Sequence, residues 1–119
     1  MTTTERSTAD LEPIVTLMAI YRSDTISSLD TGHLAARFEL RGRRHYFEIP
    51  DSHYDALIAQ EMVTISEDDK VRLTAKGRGA VEAAGLVEWR DGKLTLSQRG
   101  CYWLRRGIEM SHRRFSGKH

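Results

Sequence analysis

The sequence predicts a single α+β domain built around two β-hairpins, with a helix at each end. A hairpin running directly into a helix occurs twice, at residues 61–77 and 84–100, and apolar stripes at helical spacing precede and follow the pair. At 119 residues the chain fits one domain of ordinary size. Its 39% hydrophobic and 29% charged residues are enough to build a core and too apolar for a fully disordered chain.

Residues 1–9 are rich in Thr and Ser and are expected to be a flexible N-terminus, leaving 10–112 as the domain and 113–119 as a basic tail. Asp10 is a good N-cap for a first helix over 10–22, with Pro13 in the first turn, where its missing N–H costs nothing. Leu11, Ile14, Val15 and Met18 follow the helical spacing, and Leu17 and Ile20 widen the stripe. So wide a stripe predicts burial on two sides, either in the core or against a second copy. Residues 25–32 read as a loop or a short turn of helix. Residues 33–38 fit a short helix, and a hairpin over 36–49 turning at Gly42 competes with it; the sequence leaves both open.

Pro50 stops what precedes it, and Asp51 or Ser52 caps a helix through Gln60 that places Tyr54, Leu57, Ile58 and Met62 at helical spacing. Strands at 62–65 and 71–73 flank the turn 66–70, and a helix covers 74–84. Strands at 86–90 and 93–96 pair across Asp91-Gly92, a strong two-residue hairpin signal. A final helix capped by Ser97 runs to about His112.

The two hairpin-helix units align at an offset of 23 residues without a gap. Asp68/Asp91, Lys70/Lys93, Leu73/Leu96 and Gly77/Gly100 are identical, while Val63/Leu86, Val71/Leu94, Thr74/Ser97 and Lys76/Arg99 keep their chemistry. In Leu73-Thr74-Ala75-Lys76-Gly77 and Leu96-Ser97-Gln98-Arg99-Gly100, the Leu closes a strand into the core and the hydroxyl caps the next helix. The Gly lets that helix approach the sheet.

From Ala56 to Val63, through the hairpin, to Leu73-Thr74-Ala75-Lys76-Gly77-Arg78, the chain resembles the recognition helix, wing and following helix of the winged-helix superfamily. Residues 80–87 and their hairpin resemble the same portion again. The resemblance spans nearly the whole chain but names no subfamily. It implies a winged-helix-like domain with two wings, whose upstream helices are 10–22 and Leu34–Phe38. Residues 39–50, which look like strand, stand where a helix-turn-helix has a turn of about 3–4 residues.

The resemblance also implies a transcription regulator binding double-stranded DNA, with a recognition helix in the major groove and a wing on backbone or minor groove. The first unit suits phosphate poorly, since it carries Asp51 and Asp55 and the turn Glu67-Asp68-Asp69. The second offers Lys76 and Arg78 at its helix start and Arg90 and Lys93 around its turn, and Arg41, Arg43 and Arg44 form a further basic cluster. These seven are the candidate nucleic-acid contacts. A homodimer pairing through the first and last helices is expected. The alternative is a protein–protein module, an adaptor or inhibitor of a larger complex, which a net charge of only +1 favours.

No catalytic, cofactor or metal site is expected. The five histidines lack metal-ligand spacing with the lone Cys101, which reads as a core thiol, and Gly77-Arg78-Gly79 lacks the third glycine of a dinucleotide loop. Trp89 and Trp103 read as core or interface residues. With no apolar run near the ~20 residues of a membrane span and no secretory signal, a cytoplasmic protein is expected.

Overall fold

The computed structural model describes residues 8–116, with side chains through position 112. The fold is α+β, with four helices and three small antiparallel sheets among the described residues. A short 3-10 turn at Thr8–Asp10 leads into α1 (Pro13–Arg22). Strands β1 (Thr25–Ser28), β2 (Leu34–Leu40) and β3 (Arg43–Ile49) form one sheet in that order, and α2 (Asp51–Ala59) follows. The hairpin β4 (Val63–Ile65) and β5 (Val71–Leu73) leads into α3 (Ala75–Ala83). The hairpin β6 (Val87–Arg90) and β7 (Lys93–Leu96) leads into α4 (Gln98–Ser116).

The core is organised around α1. Every residue from Val15 to Ile20 is buried, and the helix packs against α2, α3, α4 and β5. Burying a Leu, Ile, Met or Val side chain contributes roughly 1.5–3 kcal/mol relative to exposure, so this six-residue run anchors the domain. The two-sided stripe is thus satisfied within one copy. Asp10 does not cap the helix: it ends the 3-10 turn, and Glu12 occupies the cap position without a side-chain bond.

Residues 34–38 are strand, not the second helix that the winged-helix resemblance implied. Leu and Ala favour a helix locally, but β2 is the central strand and pairs along its length with β1 and β3. Pairing on both edges satisfies its backbone, and tertiary context overrides a weak intrinsic preference. Part of the expected loop at 25–32 is likewise the edge strand β1. The β2–β3 turn places Arg41 and Gly42 at φ 53° and 77°, the left-handed pair that matches the twist of a tight hairpin.

The free edge of β3 is closed by α4. The Glu48 N–H donates to Ser111 Oγ at 2.7 Å, and the Tyr46 hydroxyl donates to the Ser111 carbonyl at 3.2 Å. This removes an unpaired edge that would otherwise invite another strand. The Glu48 carboxylate is itself buried and meets His33 Nδ1 at 2.6 Å. Beneath α1, Thr16 Oγ1 and His53 Nδ1 are hydrogen-bonded at 2.8 Å within the core.

The hairpin-helix unit is repeated in atomic detail. Both α2 and α3 end with a left-handed residue, Glu61 (φ 60°) and Gly85 (φ 76°). In each case the next two N–H groups turn back: Glu61 to Ile58 and Met62 to Leu57, Gly85 to Glu82 and Leu86 to Val81. This C-terminal motif satisfies carbonyls that the helix leaves open. Thr74 Oγ1 then donates to the Glu61 carbonyl and accepts from Gly77 N, and Ser97 Oγ donates to the Gly85 carbonyl and accepts from Gly100 N. Each hydroxyl therefore clasps the base of its hairpin while capping the next helix.

The gapless alignment needs one correction. Val63 pairs with Leu73 and Val87 with Leu96, so the first strands correspond at an offset of 24 and the second at 23. The extra residue lies in the first turn, Ser66–Lys70, where Asp69 takes the left-handed conformation. The expected start of α2 shifts too, with Pro50 at the cap and Asp51 already helical, and Met62 lies beyond the end of that helix.

Of the flexible segment expected at 1–9, residues 1–7 lie outside the described residues, while Thr8 is buried in the 3-10 turn. Helix α4 continues past the expected end at His112 to Ser116, and the side chains of the basic tail lie outside the described residues. No described helix is long and apolar enough to cross a membrane.

Candidate nucleic-acid interface

The seven candidate cations fall on three structural features. Arg41, Arg43 and Arg44 are exposed at the tip of the β2–β3 hairpin, where Arg44 stands opposite Glu39 and Arg43 opposite Leu40. Lys76 and Arg78 are exposed in the first turns of α3. Arg90 and Lys93 are register partners flanking Asp91-Gly92 at the tip of β6–β7. Asp91 and Gly92 have φ 53° and 76°, as the two-residue turn requires.

The two hairpins of the repeat differ in how they use their cations. In β4–β5, Asp68 accepts a hydrogen bond from Ser66 Oγ and stands 3.8 Å from Lys70 and 3.7 Å from Arg72. That hydrogen bond, then one from a backbone N–H and the two cations, holds the Asp68 carboxyl below its usual range. The first hairpin thus sets three acids, Glu67, Asp68 and Asp69, against these two cations. In β6–β7, Arg90 contacts Glu88 at 3.1 Å, whereas Lys93 forms no ion pair with a described residue. Arg90 is exposed and Glu88 only half-buried, so their pairing is weak, worth about 0–1 kcal/mol.

Lys76 and Arg78 are likewise in no ion pair with a described residue. Their position works against the fold, because a helix N-terminus carries partial positive charge and favours anions. Cations there are compensated when an anion such as a phosphate also approaches the helix start.

Comparison with known families, curated proteins and solved structures finds no match to the chain.

Trp89, read from the sequence as core or interface, is 68% exposed. Alternation along β6 puts it on the same face as buried Val87, opposite Leu94, which packs against the core, yet the indole itself stands in solvent. Glu88, Arg90 and Lys93 occupy the other face. The tip therefore presents an indole on one side and cations on the other. Trp103, in contrast, is half-buried and packs against the core. Cys101 is exposed and is not the core thiol expected.

Proposed function

We propose that the protein binds double-stranded DNA as a winged-helix-like transcription regulator, reading it with the start of α3 and the β6–β7 hairpin. The observation that carries this reading is the exposed Trp89 on a hairpin whose opposite face bears Arg90 and Lys93. Cations supply the sequence-independent attraction to phosphate, and an aromatic ring adds apolar contact in a groove. Lys76 and Arg78 add two exposed cations at the start of the preceding helix, whose N-terminal residues are those a recognition helix presents to base edges. With Leu34–Phe38 in the sheet, the upstream helices of the unit are α1 and α2, and β4–β5 replaces the usual short turn before α3. A cytoplasmic homodimer belongs to the same reading.

The deciding measurement is fluorescence anisotropy of a labelled duplex at several salt concentrations. Engagement of Lys76, Arg78, Arg90 and Lys93 gives a log–log slope of up to about −3.6, or −0.9 per phosphate. Absence of binding even at ~50 mM salt would sink this reading. The second reading is a protein–protein module, and the acidic tip Glu67-Asp68-Asp69 favours it. Retention of a protein partner by that tip, with no affinity for duplex DNA, would establish it.

A further inference from the structure

A cavity of about 690 Å³ opens between the approach to α1 and one side of α4. Leu11, Val15, Leu86 and Met110, all buried, give it an apolar floor, and the half-buried Trp103 stands on its wall. Arg99 and Arg106 line it from α4. Seven residues separate them, so they lie on one side of the helix about 10.5 Å apart along its axis. Neither forms an ion pair with another described residue. The segment entering α1 contributes Asp10 and Glu12 to the same cavity.

Both signs of charge thus border one concave apolar space, whose volume lies within the ~300–1,000 Å³ of small-ligand sites. The guanidinium fork matches a carboxylate in two parallel hydrogen bonds. A purely anionic ligand would meet Asp10 and Glu12, and a purely cationic one would meet the arginines. We propose that this cavity binds a small zwitterion with a bulky apolar body, of the class of apolar amino acids and short apolar peptides. Its carboxylate lies at Arg99 and Arg106, its ammonium at Asp10 and Glu12, and its side chain on the floor beside Trp103. This site is separate from the β6–β7 tip and stands or falls independently of DNA binding.

The chain has two tryptophans, so W89F leaves Trp103 as the sole indole. Its emission is followed in the full chain while L-phenylalanine, or the dipeptide phenylalanyl-leucine, is added. The expected result is a saturable change with Kd below ~1 mM for at least one of them. N-acetylation and C-amidation of that ligand should each weaken binding about tenfold or more, as expected for loss of a charge-assisted contact. R99Q/R106Q should abolish the sensitivity to amidation and keep that to acetylation, and D10N/E12Q should do the reverse. If the double variants fail to fold, the single variants R99Q, R106Q, D10N and E12Q carry the same comparison. Three outcomes would overturn the proposal. One is no saturable change up to ~10 mM. Another is equal binding of the blocked and free ligands. The third is full affinity for the acetylated form, which would make this a plain anion site.

Discussion

Gly77 lies so close to Met62 that a β-carbon on it would stand 2.1 Å from the Met62 carbonyl oxygen. Gly100 repeats the relationship with Leu86 at 2.0 Å. The obstacle is backbone, which the Thr74 and Ser97 clasps hold in place, so neither side can yield cheaply. Gly77→Ala and Gly100→Ala should each destabilise the fold by about 2 kcal/mol, in the range of overpacking. Gly79, in the same helix as Gly77, has nothing within 4 Å of its would-be β-carbon. Gly79→Ala should therefore stabilise by about 0.5–1 kcal/mol through helix propensity alone. Urea denaturation of the three variants measures both signs, and equal effects of Gly77→Ala and Gly79→Ala would refute the close approach.

The conserved chemistry of the two units made this much legible in the sequence: the capping hydroxyl, the Gly three residues on, and the Asp91-Gly92 turn. The one-residue slip was hidden, because the loop Ser66–Lys70 and the turn Asp91-Gly92 place an Asp at similar positions through different geometries. Residues 34–38 were ambiguous because Leu-Ala-Ala carries helix propensity, and only pairing with two other strands decides for β2. Of the candidate site, the cations at 76, 78, 90 and 93 could be read from the sequence. The exposure of Trp89 could not, since strand alternation assigns it to the core face, where its partner Leu94 does pack while the indole stays in solvent.

Glu61 and Gly85 occupy the same left-handed position at the ends of α2 and α3, with different side-chain costs. A non-Gly residue there is strained, and Gly is not. Glu61→Gly should stabilise the protein by roughly 0.5–1 kcal/mol, and Gly85→Ala should destabilise it by a similar amount. The shift in urea midpoint at unchanged m-value reports each. A destabilising Glu61→Gly would mean that the Glu61 side chain makes a contact outweighing its backbone strain.

If the second unit meets DNA, the hairpins must differ functionally as they do electrostatically. Arg90→Ala/Lys93→Ala should reduce the magnitude of the salt slope by up to about 2 and weaken binding across sequences. Lys70→Ala/Arg72→Ala should leave the slope nearly unchanged, because Glu67, Asp68 and Asp69 make that tip repel phosphate. Trp89→Ala should lower duplex affinity with little change in slope, because the indole carries no charge. Equal losses from the two cation pairs would assign the contact to both hairpins or to neither.

His53 ties stability to pH. Burial pushes its pKa below the ordinary histidine value of 6.5, against a smaller upward pull from the Ala9 carbonyl, and burial followed by the nearby His45 does the same to His112. In the unfolded chain both rings take up a proton near 6.5, while in the folded chain they resist until lower pH. The unfolded state therefore binds more protons below 6.5, and stability falls as pH drops from 6.5 through the folded values. Above 6.5 both rings are neutral in either state and contribute no slope. His53→Gln removes one of the two titrating rings and also disturbs the Thr16 contact, so it should lower Tm at pH 7.5 while making Tm less dependent on pH below 6.5. Thermal unfolding of both proteins from pH 7.5 to pH 5 tests this, and an unchanged acid slope in the variant would exclude His53 as a source of the acid sensitivity.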